Sequence, residues 1–269
     1  MIGQHNQHHE TRAIARGLVV LAVLGLEFGF EHPSRAATLE PPGPSTPGGS
    51  PVISVIADER LFTLFAALNV AGYDREINPD GMSETRLAVR SALADRPLAI
   101  LPVLRLYRGM CQEVRISRCA MYVLHLGPAP DFARVVRGWF VDAPEHDFLG
   151  FDWALREFHR EADITSLWRQ PRPAYEQAVA AYTAVAAPLA DAALRYTRMP
   201  AIQARHLVVI PNLLDTGWVG YGPQIGDTAY VILGPSAEVE TGLLQHELLH
   251  SAVNPAIFAA LASLDSTAR

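Results

Sequence analysis

The run Gly242-Leu243-Leu244-Gln245-His246-Glu247-Leu248-Leu249-His250-Ser251-Ala252 sets an HExxH pattern in an apolar frame, and it narrows the fold more than any other stretch. On a helix, residues four apart are separated by about 40° around the axis and about 6 Å along it. His246 and His250 then project from one face and can close on a single zinc ion. Glu247 follows the first ligand directly, where a carboxylate can take a proton from water. Zinc lowers the pKa of water that it holds toward ~7, so this trio is the expected core of a zinc hydrolase, usually a peptidase.

The frame predicts the helix around the motif. Val239, Leu243, His246, Leu249, His250 and Val253 follow three-and-four spacing, and Leu244 and Leu248 add apolar surface on a second side. Such a helix is apolar nearly all round and belongs in the interior. Ser236 is the expected N-cap, Glu238 and Glu240 suit the first turns, and Asn254-Pro255 stops the helix. The plain alternative is a chance HExxH whose histidines are hydrogen-bonded in a core. Against it, two histidines and a glutamate on an apolar helix are costly to bury without partners.

A formal charge of −6 and the lack of any basic run argue against nucleic acid as a partner. All 22 basic residues are arginine, which removes lysine from any catalytic role. The N-terminus reads as an export signal over residues 1–36. Arg12 and Arg16 precede the apolar run from Gly17 to Leu26, and Ser34-Arg35-Ala36 supplies small residues for cleavage. That run is too short for a comfortable membrane span, so no stable anchoring in a membrane is expected unless the signal stays uncleaved. The expected location is therefore secreted or periplasmic. His5, His8 and His9 fall in the removed segment and receive no function. Residues 37–51, rich in Pro, Gly and Ser, read as a linker. Export permits a bond between Cys111 and Cys119 if a corner separates two helices near Val114 to Ser117; two buried free thiols are the equal alternative.

Residues 52–269 are expected to form one domain, helical over 52–200, with a sheet and the motif helix over 201–255 and a short tail. Val52 to Ile56 is either a strand or an apolar lead-in. Asp58 and Ser83 are expected caps for the first two helices; Pro97 opens a third toward Gly109, and Ser117 caps a fourth. Gly138 to Gly150 is looser. Asp152 to Gln170 and Pro173 to Tyr196 are longer helical segments, with Phe158, Trp168, Tyr175 and Tyr182 read as core. His206 to Pro211, Trp218 to Pro223 and Asp227 to Leu233 are strand patterns, so a small antiparallel sheet should feed the motif helix. The fold class is α+β and predominantly helical.

His246-Glu247-Leu248-Leu249-His250-Ser251-Ala252-Val253-Asn254-Pro255 resembles a family of secreted bacterial proteins of unknown function that carries HExxH, then Ser, two apolar positions and Asn-Pro. Ala67 to Asp74 is similar to the family's early helix ending in Gly-Tyr. Glu157 to Asp163 is similar to its middle signature, with His159 where an aromatic is more usual. Val209 to Leu214 and Tyr230 to Gly234 are similar to its strand pair, so the resemblance runs from about Val52 to Pro255.

The resemblance implies a zincin-type peptidase. His246 and His250 would bind Zn2+, Glu247 would be catalytic, and the substrate would be a peptide or protein. In zinc peptidases with this motif an edge strand holds extended substrate by its backbone; Gly220-Tyr221-Gly222 is the candidate here, beside the reading of a glycine-rich turn with one packed tyrosine. The departure lies after His250, where no Glu or His follows and Asp265 is the sole acidic residue. The third ligand is Asp265, an upstream side chain, or absent through truncation. In the last case the chain is a non-catalytic secreted binding module derived from a peptidase.

Overall fold

The computed structural model describes residues 51–73, 82–114, 116–134, 148–197, 204–250 and 253, without the side chains of 113 and 114. The expected signal, nearly all of the linker, the N-terminal histidines and Asp265 lie outside these residues. Helix α1 (Glu59–Val70) starts as expected, with the Asp58 side chain accepting from the Arg60 amide at 2.9 Å. It ends at Gly72, whose φ of 88° lets the Tyr73 amide reach back to the Leu68 carbonyl and the Gly72 amide to that of Asn69. This is the Schellman arrangement, and it explains the Gly-Tyr ending. Helix α2 (Glu84–Ala94) is capped by Ser83, whose Oγ accepts from the Arg86 amide at 3.0 Å and donates to the Leu213 carbonyl at 2.6 Å.

Helix α3 (Leu101–Val114) begins later than Pro97 and runs past Gly109, because the first turn at Leu98 to Leu101 is closed by a tighter backbone bond. Helix α4 (Ile116–Leu124) starts one residue before Ser117, which is therefore helical and no cap. The corner between them allows the bond: Cys111 and Cys119 form a disulfide with Cα atoms 5.8 Å apart. The single helix expected over Asp152 to Gln170 is two, α5 (Phe151–Glu161) and α6 (Ile164–Arg169). Asp163 separates them with a left-handed backbone, φ 43°, and its side chain caps α6. An Asp tolerates this conformation better than most residues. His159 of α5 is buried against Phe132 and its Nε2 lies 3.1 Å from Glu59 Oε1 on α1, which joins the two helices.

Helix α7 (Arg172–Thr197) is the longest of these. By length and composition it could cross a membrane. Here it lies over the sheet, with Tyr182, Ala186, Ala190 and Ala193 in one apolar cluster with the strands. Phe158 and Tyr175 are fully buried, and Trp168 packs between Phe62 and Tyr175, as a core reading of these aromatics requires.

The sheet is mixed rather than antiparallel. Of the two readings of Val52 to Ile56 the strand is the one found: β1 (Val52–Val55), at the start of the otherwise helical body, pairs in parallel with β2 (His206–Pro211). β2 in turn pairs in parallel with β5 (Thr228–Leu233). The reversal comes from the chain between them: β3 (Gly220–Tyr221) and β4 (Gln224–Ile225) both run antiparallel to β5 on its other side. Their registers coincide, and the Tyr230 amide bonds the Pro223 carbonyl at 2.8 Å. Residues 220–225 are thus one edge strand, interrupted at Pro223 and turned back at Gly226, where φ is +58°. Pro223 faces β5 and has no N–H to give it, so the ladder loses one donor at this point and the strand is broken there.

Alternation along β2 and β5 divides the interior. Ile210 and Ile232 face the body built from α1 to α6. Leu207, Val209, Ala229, Val231 and Leu233 face α7 and a last helix, α8, over residues 241–250. The ends of both strands are buried on both faces, as parallel central strands generally are.

Candidate functional site

Helix α8 carries the motif but starts at residue 241, later than Ser236 predicts. The Glu240 carbonyl accepts from the Leu244 amide at 2.9 Å, and Ser236 instead donates its hydroxyl to Glu240 Oε1 at 2.7 Å. The preceding residues are spent crossing from the end of β5 to the other layer. Nor is α8 a central buried helix. Leu244 and Leu248 are fully buried, Leu243 and Leu249 are half-buried, and His246 and His250 are exposed. The apolar leucines serve the sheet, and the imidazole face is left open.

The two imidazoles converge. His246 Nε2 and His250 Nε2 are 3.1 Å apart, with rings nearly perpendicular at 86°. That separation lets one ring donate its N–H to the other. It also fits a zinc ion: at bond lengths of about 2.05 Å, nitrogens this far apart subtend about 100°, near the tetrahedral angle. The donor pair therefore suits the metal that the motif implies. Among the described residues no group of three or more His, Cys, Asp or Glu side chains comes together to hold a metal. Asp265 lies outside those residues.

Glu247 points the other way from solvent and is 6% exposed. Burial pushes its carboxyl above the usual carboxylate value, while the charges of His250 and His246 pull it down. A carboxyl held between a desolvating wall and two imidazoles is poised to accept and release a proton. The wall is the edge strand. A Cβ added to Gly220 would stand 2.8 Å from Glu247 Cγ and from Oε1, and one added to Gly222 would stand 3.0 Å from Oε2.

The edge strand is fixed from behind. Tyr221, between the two glycines, faces the helical body, where its hydroxyl donates to Asp215 Oδ2 at 2.7 Å. Asp215 is buried, accepts from the Thr216 amide at 2.8 Å and lies at hydrogen-bonding range from the Tyr73 hydroxyl. Nearby Asn69 donates to the Leu214 carbonyl and accepts from the buried Arg86. Sequence reasoning singled out Gly220-Tyr221-Gly222 but missed Asp215; Asp-Thr-Gly before a strand signals a turn, and nothing local reveals a buried tyrosine partner. Trp218, in the same loop, is 79% exposed and has a left-handed backbone, φ 61°.

The register also sets the strand's outer edge. Bonds from the Gly234 amide to the Val219 carbonyl and from Tyr230 to Pro223 turn the odd-numbered residues toward β5. The alternation of an antiparallel pair then directs the amide and carbonyl of Gly220 and Gly222 outward. Among the described residues no strand pairs on that side. Comparison of the chain with family models, with curated proteins and with solved structures found no match.

Proposed function

We propose that the chain is a zinc-dependent hydrolase that cleaves peptide bonds outside the cytoplasm. The observation that carries this reading is the convergence of two exposed imidazole nitrogens 3.1 Å apart beside a buried carboxyl on the same helix. His246 and His250 would hold the ion through Nε2. Zinc there supplies a Lewis acid and acidifies water. Glu247 takes the proton from the attacking water and passes it to the leaving amine, a role suited to a carboxyl whose pKa burial has raised. An extended peptide would lie along the outer edge of residues 220–222 and meet the outward amides and carbonyls of the two glycines.

The test pairs metal content with cleavage. Zinc is measured by elemental analysis on wild type, His250→Ala and Glu247→Gln, beside cleavage of an unstructured protein such as casein. His250→Ala should lose zinc, because one of the two nitrogens is gone. Glu247→Gln should keep zinc and lose about 100-fold or more in rate, because only the proton acceptor is removed. A wild type that takes up no zinc would sink the hydrolase reading in favour of a binding module with an incomplete site. Equal rates for wild type and Glu247→Gln would move the base elsewhere.

A further inference from the structure

We propose that Gly220 and Gly222 are positioning residues: together they form a slot, open only because both lack side chains, that fixes the Glu247 carboxylate against the edge strand. The inference rests on the hydrolase reading and adds to it the part that sets the base in place.

A general packing constraint would bring mixed atoms of α8 close to the glycines. Instead, all three of the nearest atoms to a Cβ at Gly220 belong to Glu247: Cγ and Oε1 at 2.8 Å and Cδ at 3.1 Å. At Gly222 the nearest is Glu247 Oε2 at 3.0 Å, followed by the Glu247 carbonyl at 3.6 Å and His250 Cβ at 3.9 Å. The carboxylate therefore straddles the strand, one oxygen over each glycine. Contacts below 3.0 Å require something to move, and Cγ is too near the backbone to yield without a change of rotamer. Two fixed points restrict a side chain with three rotatable bonds to one placement.

The placement links two tasks. The glycines whose faces hold Glu247 are the same residues whose amides and carbonyls point to the open edge. A peptide lying on that edge is thus set in register with the base by the strand itself. Holding a reacting group to within a fraction of an ångström is worth orders of magnitude in rate, so a small displacement of the carboxylate should show in turnover before binding. Tyr221, anchored at Asp215 on the opposite face, keeps the two glycines from retreating.

The experiment is a double-mutant cycle between Gly220→Ala and Glu247→Asp, with Gly222→Ala as a milder second probe and Gly242→Ala as control. Gly242 has no atom within 4 Å of an added Cβ. Gly220→Ala should keep full zinc content and a KM within about twofold, while kcat falls about 10-fold or more. Glu247→Asp shortens the side chain by one methylene and vacates the slot. In that background Gly220→Ala should cost no further activity and little of the melting temperature that it costs in wild type. Melting temperature reads the same coupling if no hydrolysis is found, so failure of the hydrolase reading stays separate from failure of the slot. Additive effects of the two substitutions on both kcat and melting temperature would overturn the proposal, as would zinc loss in Gly220→Ala. The same additivity for Gly222→Ala decides the matter should Gly220→Ala not fold.

Discussion

Replacing Tyr221 with Phe removes one oxygen and leaves the ring, so it isolates the bond that ties the edge strand to the helical body. That bond is 2.7 Å long and joins two buried side chains. A hydrogen bond to a carboxylate contributes about 1.5–3 kcal/mol. Asp215 keeps the Thr216 amide at 2.8 Å, so the carboxylate is not stripped of partners and the loss should be near about 2 kcal/mol. In a domain of this size each kcal/mol moves the melting temperature by about 2–4 °C, giving a fall of about 4–8 °C. Tyr73→Phe provides the comparison. Its hydroxyl reaches the other oxygen of Asp215 at 3.5 Å, the limit of a hydrogen bond, and its removal should cost less than about 1 kcal/mol. Thermal and urea unfolding followed by circular dichroism measure both. Equal losses in the two variants, or a loss below about 0.5 kcal/mol in Tyr221→Phe, would refute the assignment of Tyr221–Asp215 as the strand's anchor.

His125 is buried, with Nδ1 2.9 Å from the Met121 carbonyl, and desolvation lowers its pKa to about 4, with the charge of Arg60 acting in the same direction. The unfolded chain binds its proton from 6.5 downward, so this group's stabilisation holds above 6.5 and is lost as pH falls toward 4, by up to about 3 kcal/mol; His125→Gln should flatten that part of the stability profile, and an unchanged slope would contradict the reading. Replacing both Cys111 and Cys119 with alanine should cost about 2.5 kcal/mol by loop entropy, and non-reducing mass analysis of the parent should find no alkylatable thiol. Trp218→Gly should raise stability by about 1 kcal/mol, since the exposed side chain packs little and its left-handed backbone is relieved; a lower melting temperature would show that the ring contributes contacts.

What the residues disclosed in advance was mostly local chemistry. Asp58 and Ser83 announce their helices because an N-cap needs only the amides two or three residues ahead. His246 and His250 meet because four residues make one helical turn. What stayed hidden depended on partners distant in sequence. Val52 to Val55 could not be told from a lead-in because its mate begins at His206. The parallel pairing of β2 with β5 followed from where residues 220–225 return, which hydrophobic alternation does not encode. Ser236 looked like a cap because Ser before an acidic pair commonly is one, yet the chain still had to travel from the sheet to the opposite layer. The split at Asp163 turned on one left-handed residue inside an unbroken apolar pattern. The motif helix looked buried since leucines dominate it, and only the sheet beneath it sorts leucines inward from histidines outward.

The pairing of β1 with β2 has a kinetic consequence. Its partners are separated by about 150 residues, with α1 to α7 threaded between them, which places much of the sheet's bonding at high contact order. Chain entropy of that size is lost before any strand bond repays it, so the sheet should assemble after the helices that bridge it. Helix α8 rests Leu244 and Leu248 on β2 and β5, and the edge strand beside Glu247 needs β5 paired and Tyr221 seated on Asp215, so the site is completed only with the sheet. On the hydrolase proposal, a newly made chain would gain activity only once its own body is folded, a delay that would spare its unfolded segments.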